Sequence, residues 1–203
     1  MPDKFQNRYR ISSARLLTWD YSSNAADFIT MCTPRRQHYF GEIINSEMQL
    51  SKIGEYATEC WMHIPNHFPY FYLDEFVLMP NHVHGIVLIE KPFIDNSRGS
   101  LFVETTHALS LRQPNFVESP PLNSDETKPR HFRFRNQGKN TISAMVGSFK
   151  SAVTKLCNES KLPFGWQSRF HDHIIRDKDE FFRIKNYIIT NPANWKDDRF
   201  YSL

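Results

Sequence analysis

The chain has 203 residues, a net charge of +3 and 40% hydrophobic residues, which is typical of one globular domain and excludes a disordered chain. No apolar run approaches the roughly 18 residues of a membrane-spanning helix, and the polar N-terminus lacks the apolar middle region of a secretory signal. The three cysteines are far apart and form neither a disulfide framework nor a CxxC metal site. We therefore expect a single domain over residues 1–203, located in the cytoplasm, with no membrane partner.

The first half of the chain predicts strands arranged around one helix. Short apolar runs rich in strand formers indicate the strands, and apolar side chains at helical spacing indicate the helix. The turn dipeptide Pro80-Asn81 separates two of these strands and predicts that they pair as antiparallel neighbours. The predicted elements are strands at 26–33, 71–79 and 82–90, a weaker hairpin at 39–44 and 48–50, and a helix at 50–64.

The composition changes over residues 91–139, which hold prolines and many Ser, Thr and Asn residues without a sustained period. We interpret this stretch as a long surface insertion within the domain. From Thr127 to Asn158 there is no acidic residue, and phenylalanines interleave with the cations at its start. This pattern suits single-stranded nucleic acid, because cations neutralise phosphates and aromatic rings stack on bases, but a solvated basic loop is equally consistent. The cations are Lys128, Arg130, Arg133, Arg135, Lys139, Lys150 and Lys155.

Two helices are predicted after the insertion. Helical spacing resumes at 141–156, and a short extended piece at 174–175 precedes the last helix. Asp177 and Glu180 have the spacing of a capping box at the start of that helix, and Pro192 ends it. The order of elements predicts an α+β fold, an antiparallel sheet with helices packed on one face, plus the surface insertion.

His82 and His84 are candidate metal ligands. Residues two apart in a strand point to the same face, so both imidazoles would reach one ion. Two histidines on the wet face of an edge strand would give the same pattern, and an H-x-H alone favours that interpretation. A second H-x-H, at His171 and His173, has a charged centre and is more typical of surface residues. His173 is retained as an accessory candidate near the site.

Tyr187 and Asn191 are four residues apart on the last predicted helix, so they project from the same side about one turn apart. Tyr187 lies at the edge of the apolar stripe, where an ordinary half-buried tyrosine is also consistent. Asn191 followed by Pro192 is equally consistent with simple helix termination. Spacing alone leaves these alternatives open.

Two sequence blocks resemble a known family. FVLMPNHVHGI at 76–86, and WQSRF from 166 with HIIR from 173 and YIITNP from 187, occur in this order. They resemble the REP-associated tyrosine transposases and their insertion-sequence relatives, which are single-tyrosine HUH transposases. The resemblance runs from about residue 21 to 195 apart from the insertion, and it implies a ferredoxin-like or RRM-like fold.

The resemblance also implies a mechanism. Tyr187 matches the catalytic nucleophile, and His82, His84 and Asn191 match the metal ligands of an HUH endonuclease. The implied cofactor is a divalent ion, Mg²⁺ or Mn²⁺. The implied partner is single-stranded DNA with hairpins, cut through a 5′-phosphotyrosine and rejoined by a monomer or a homodimer. From charge and spacing we add Arg130, Arg133, Arg135, Lys139, Lys150 and Lys155 as DNA-binding residues, and we expect the insertion to contact the hairpin.

Three other functions compete with strand cleavage by a tyrosine. A domesticated relative would bind hairpin DNA or RNA as a regulator without cutting it. A metal hydrolase would activate water with His82, His84 and a carboxylate such as Glu75 or Asp172. A plasmid relaxase or replication initiator shares the HUH motif, but no helicase or second domain is found in this sequence.

Overall fold

The computed structural model describes residues 24–92, 138 and 140–202. Four of the predicted DNA-binding cations lie outside these residues, as does nearly all of the 91–139 insertion, so their roles stay predictions. The four cations are Arg130, Arg133, Arg135 and Lys139. Among the described residues, no helix is both long and apolar enough to cross a membrane.

The described chain forms strands and helices close to the predicted positions. The strands are β1 (Ala25–Cys32), β2 (Gly41–Ile44), β3 (Glu47–Leu50), β4 (Phe71–Met79), β5 (His82–Ile89) and β6 (His171–Ile175). The helices are α1 (Lys52–Met62), α2 (Ile64–His67), α3 (Ile142–Glu159) and α4 (Lys178–Thr190), with short 3-10 turns at Pro34–Arg36 and Trp195–Asp197. Both predicted strand pairs and all three longer helices are confirmed.

The main sheet has the strand order β4-β5-β1-β6, and every neighbouring pair in it is antiparallel. Strands β2 and β3 form a separate hairpin. Along the chain, β1, α1, β4, β5, α3 and β6 follow one another in the β-α-β-β-α-β order of a ferredoxin-like fold. The predicted α+β class, with an antiparallel sheet covered by helices, is confirmed.

The helices lie on both faces of this sheet. Helices α1 and α3 cover one face, which we call the core face, where side chains such as Ile29, Val83 and Val87 join the main hydrophobic cluster. Helix α4 covers the opposite face, where Ile188 packs in a smaller cluster with Ile86. The prediction of helices on one face therefore holds for α1 and α3 and is wrong for α4. The physical reason is that β5 is buried on both sides, so each side needs a cover.

Gly85 brings the middle of β5 against α1. A Cβ atom at this position would overlap the indole ring of Trp61, which is fully buried and stacks on Phe76 at 5.0 Å between ring centroids. Only glycine allows this close approach. The contact fixes the strand that carries the two histidines against the helical layer.

Helix α4 begins at the predicted cap. The Asp177 carboxylate accepts a hydrogen bond from the Glu180 amide at 2.8 Å, as the capping box requires. Lys185, two turns later, donates to Asp74 of β4 at 2.8 Å and so ties the helix to the sheet. These contacts set the position from which α4 presents Tyr187 to β5.

Candidate active site

His82 and His84 lie side by side on the face of β5 that α4 covers, which we call the histidine face. Their ring centroids are 4.5 Å apart, and both side chains are essentially buried, with 0% and 1% exposure. Strand β5 is central and not at an edge, because β4 and β1 pair with its two sides. The alternative of two wet histidines on an edge strand is therefore wrong.

His82 is held in one tautomer by Asn81. The Asn81 amide nitrogen donates to the Phe200 carbonyl at 2.8 Å, which fixes the amide oxygen toward His82. His82 Nδ1 lies 2.8 Å from that oxygen and must carry the proton. Its Nε2 atom is buried and has no hydrogen-bond partner among the described residues. A metal-binding histidine has this arrangement, with one nitrogen donating to a carbonyl and the other presenting a lone pair.

His84 joins the sheet to Tyr187. Its Nδ1 atom lies 2.9 Å from the Thr30 hydroxyl on β1, and its Nε2 atom lies 3.2 Å from the Tyr187 hydroxyl. Donation from Nδ1 to Thr30 would leave the Nε2 lone pair available to a metal ion. The ring is further fixed by Phe28, which stacks on it at 5.1 Å between centroids.

Asp198 completes the cluster. Its Oδ2 atom accepts hydrogen bonds from the Tyr187 hydroxyl at 2.9 Å and from the Asn191 amide at 3.0 Å. One ligand atom from each of His82, His84 and Asp198 lies within 4.8 Å of the other two. The carboxylate reaches the site from the segment after α4, through the 3-10 turn at Trp195–Asp197.

Burial controls the protonation of the two histidines. Desolvation lowers the pKa of His82 to about 3, with smaller contributions from the Arg199 and Arg36 charges. Desolvation also lowers the pKa of His84 well below its ordinary value, helped by the neighbouring His82. Both imidazoles are therefore neutral at pH 7, which is the form that binds a metal ion.

The pKa of Tyr187 is raised, whereas the pKa of each histidine is lowered. Burial, followed by the hydrogen bond to Asp198 and the charge of that carboxylate, raises the pKa of the phenol to about 12. The hydroxyl is therefore protonated throughout the neutral range. Even so, 39% of the side chain is exposed, so a large substrate has access to it.

The chemistry of these donors fits a divalent metal ion. The cluster offers two neutral imidazole nitrogens and one carboxylate, and the Asn191 amide oxygen is buried without a hydrogen-bond partner among the described residues. A cation bound by the histidines would satisfy the orphaned Nε2 atom of His82. Imidazole suits transition metals, and carboxylate oxygens suit Mg²⁺ and Mn²⁺.

The C-terminal segment forms the rim of the site. The Phe200 ring lies 4.6 Å from the His82 ring, and the Arg199 guanidinium carbon lies 4.5 Å from the centre of Phe200 on the rim. Arg36 approaches the same ring at 5.9 Å. Aromatic and cationic groups therefore surround the histidine pair.

The other predicted site residues lie apart from this cluster. His173 is on the same face of the sheet but its Nε2 pairs with Glu180 at 2.9 Å. Lys150 directs two of its three donors to the carbonyls of Gln167 and Arg169, at 2.9 and 3.1 Å, and desolvation lowers its pKa to about 8. Lys155 is exposed and lies 3.9 Å from Glu159.

Neither carboxylate that was predicted for the competing metal hydrolase, Asp172 or Glu75, belongs to the histidine cluster. Asp172 pairs with Ile29 across the sheet and so lies on the core face, opposite the histidines. Glu75 lies beside Lys185, at 3.5 Å. The carboxylate that the fold brings to the histidines is Asp198, which sequence reasoning missed because no period or motif marks its loop.

Two comparisons place the chain among known proteins, and no family model matches it. The described fold is similar to a solved structure of a REP-associated tyrosine transposase bound to a REP hairpin, with a TM-score of 0.54. That match covers 91% of this chain and 74% of the other at 17% identity, which shows a shared fold. An uncharacterized protein of Haemophilus influenzae is 35% identical over 190 residues, which are 93% of this chain and 92% of the relative. The chain belongs to the same protein family as this Haemophilus influenzae protein.

Proposed function

We propose that the protein is a metal-dependent endonuclease of the HUH type that cleaves single-stranded DNA at or near hairpins and rejoins the strands. The observation that carries the proposal is the position of the Tyr187 hydroxyl, 3.2 Å from His84 and 2.9 Å from Asp198, beside the unpartnered Nε2 of His82. The fold shared with a hairpin-bound tyrosine transposase supports the choice of substrate.

The metal ligands in this proposal are His82, His84 and Asp198, with the Asn191 amide oxygen as a further donor. A divalent ion bound there, Mg²⁺ or Mn²⁺, supplies positive charge that offsets the charge on the phosphate oxygens. Asn81 and Thr30 act through the histidines, because their hydrogen bonds fix the two ring orientations.

Tyr187 is the nucleophile of the proposed reaction. Its oxygen forms a bond to the phosphorus of the cleaved linkage, and the bond from phosphorus to the 3′ oxygen of the preceding nucleotide breaks. The phenol proton passes to Asp198, which already accepts it in a hydrogen bond. The departing 3′ oxygen takes up a proton from water, and the proton on Asp198 restores that water. The products are a 5′-phosphotyrosine and a free 3′-hydroxyl. Because the new linkage is a phosphodiester, attack by a 3′-hydroxyl reverses the step and rejoins a strand.

The raised pKa of Tyr187 explains why the proposed reaction needs a proton acceptor beside the phenol. A phenol with a pKa of about 12 is a weak nucleophile at pH 7 unless a neighbouring group removes its proton as it attacks. Asp198 is the carboxylate that contacts the hydroxyl. We therefore assign it two roles, as a metal ligand and as the proton acceptor.

DNA binding is assigned to the basic residues outside this cluster. We propose that Lys150 and Lys155 on α3, with His173 as an accessory contact, bind DNA outside the metal cluster. The inserted loop at 91–139 would contact the hairpin through four of its cations, within a single domain. Those cations are Arg130, Arg133, Arg135 and Lys139.

The experiment uses labelled single-stranded hairpins from the DNA that flanks the gene, with Mn²⁺ or Mg²⁺. A denaturing gel detects a covalent protein–DNA band, which the proposal predicts for the wild type and not for Tyr187→Phe. Tyr72→Phe is the matched control, because Tyr72 is an exposed tyrosine on β4 and should leave the band unchanged.

Two results would contradict the proposal in different ways. Hairpin retention on a native gel without any covalent band would favour the non-catalytic regulator of hairpin DNA or RNA. Cleavage that persists in Tyr187→Phe would favour a hydrolase that activates water at the same metal site.

A further inference from the structure

Arg199 is an exposed cation at the rim of the histidine site with no carboxylate assigned to it. Asp198, its neighbour in sequence, accepts hydrogen bonds from Tyr187 and Asn191 instead. Within the ranges that the structure describes, no acidic side chain forms an ion pair with Arg199. A guanidinium beside a polar catalytic cluster and without a protein anion is available to a ligand anion.

The segment that carries Arg199 is anchored on both sides. The Phe200 amide donates to Asp198 Oδ1 at 2.6 Å, and the Phe200 carbonyl accepts a hydrogen bond from the Asn81 side chain at 2.8 Å. The guanidinium stacks over the Phe200 ring at 4.5 Å, and the His82 ring lies 4.6 Å from the same ring. Stacking on an aromatic face orients an arginine while leaving its N–H edge open to a ligand.

The charges around this ring favour an anion. Arg36 comes from the turn after β1 and approaches Phe200 at 5.9 Å, while one of its nitrogens donates to the Tyr201 carbonyl at 3.3 Å. The two arginines carry two positive charges, against the single negative charge of Asp198. Arg36 is held by the chain, so Arg199 is the cation with the larger number of free donors.

We propose that Arg199 is a further catalytic residue, whose guanidinium binds the phosphate that Tyr187 attacks. This inference rests on the proposed function and adds a residue to it. Arginine forms paired hydrogen bonds with the non-bridging oxygens of a phosphodiester, which matches the chemistry of the single-stranded substrate. Charge develops on those oxygens as the tyrosine attacks, so the contact stabilises the transition state more than the bound substrate.

The first test measures cleavage. Arg199→Ala should lower the single-turnover rate of covalent adduct formation about 100-fold, the usual effect of removing one donor to a developing charge. Arg199→Lys should recover part of that rate, because it keeps the charge and loses the paired geometry. Lys52→Ala, which removes an exposed cation from α1, should match the wild type.

The second test locates the contact. It uses Tyr187→Phe protein, to prevent cutting, and hairpin oligonucleotides whose cut position the wild-type gel has established. Arg199→Ala should weaken binding and reduce the slope of log K against log salt by about 0.7, the value for one phosphate contact on a single strand. A neutral methylphosphonate at the cut position should remove this difference between the two proteins.

Each failure has a separate meaning. Equal adduct rates in Arg199→Ala and wild type would overturn the assignment of Arg199 and leave the proposed function standing. A loss of affinity that persists on the methylphosphonate strand would place Arg199 on another phosphate and also overturn the assignment. No adduct in the wild type would overturn the proposed function and the inference together.

Discussion

The two faces of strand β5 are built from the same chain segment and have opposite character. On the core face, Val83 and Val87 pack among apolar side chains from α1 and α3. On the histidine face, His82 and His84 are equally buried, but their neighbours include the polar side chains of Tyr187 on α4 and Asp198 in the C-terminal segment. Alternation along one strand therefore separates a face that stabilises the fold from the face on which the candidate site lies.

In the described part of the chain, buried polar atoms without a hydrogen-bond partner occur on both faces, but on the histidine face they belong to residues of the candidate site. Burial of a polar atom without a hydrogen bond destabilises a protein by roughly 1–3 kcal/mol. On the histidine face, His82 Nε2 and Asn191 Oδ1 are buried without a partner among the described residues. Buried polar atoms without a hydrogen-bond partner are expected where a ligand supplies the missing interactions.

Removal of the proposed metal ligands from the histidine face should have the largest effect. His82→Ala and Asp198→Ala should each weaken Mn²⁺ binding by more than about 100-fold, since each removes a direct ligand. Asn81→Ala should weaken it by about 10- to 100-fold, because it only releases the orientation of His82. Electron paramagnetic resonance of free Mn²⁺ measures all three affinities without DNA.

The exposed His67 at the end of α2 provides the control for this series. His67→Ala should bind Mn²⁺ like the wild type. If His82→Ala also binds Mn²⁺ like the wild type, the metal assignment is wrong.

The core face can be tested with the same substitution at two glycines. Gly85→Ala places a methyl group into the indole of Trp61 and should destabilise the protein by about 1–3 kcal/mol, the usual cost of overpacking. Gly147→Ala in α3 meets no atom within 4 Å and should stabilise it by about 0.5–1 kcal/mol. Urea denaturation measures both free energies of unfolding, and a Gly85→Ala protein as stable as the wild type would contradict the packing described for Gly85.

Acid should destabilise the histidine face specifically. The folded protein protonates His82 only near pH 3, whereas the unfolded chain protonates it near 6.5. The unfolded state therefore binds more protons between these values, and stability falls as the pH decreases through that window, by up to about 1.4 kcal/mol per pH unit for this group.

The free energy of unfolding of His82→Gln, measured in metal chelator from pH 7 to pH 4, should fall less steeply than that of the wild type. The curve for His67→Gln should run parallel to the wild type, since that side chain is exposed. Parallel curves for all three proteins would show that His82 is not buried in its neutral form.

The smallest effect on stability is expected for substitutions of the two lysines of α3. Lys150 holds the carbonyls of Gln167 and Arg169, so Lys150→Met should destabilise the protein by about 1 kcal/mol, the net value of a typical hydrogen bond. Lys155→Met should leave the stability unchanged, because Lys155 is exposed. Thermal unfolding compares the two, and equal stabilities would show that the Lys150 contacts contribute nothing measurable.

Most of the fold was predicted from hydrophobic periodicity and from the helix-capping pattern. The alternation in β5 placed His82 and His84 on one face, and the spacing of Asp177 and Glu180 marked the start of α4. The face on which α4 packs could not be read in this way. Its position depends on β5 being buried on both sides, and apolar runs do not reveal which helix covers which side.

The site was predicted only where regular structure holds its residues. Tyr187 and the two histidines belong to a helix and a strand, so their spacing had geometric meaning. Asp198 and Arg199 lie in the segment after α4, where no period relates sequence to direction. Their place beside the histidines follows from the long-range hydrogen bonds and ring contacts of Asn81 and Phe200.

The central claim is that Tyr187 on the histidine face becomes covalently linked to DNA, and mass spectrometry of the adduct tests it most directly. The protein is incubated with hairpin DNA and Mn²⁺, digested with trypsin and nuclease, and searched for a peptide that carries a nucleotide. The account predicts a 5′-linked nucleotide on Tyr187 and none on Tyr72. A nucleotide on any other residue, or DNA cut without a modified peptide, would contradict it.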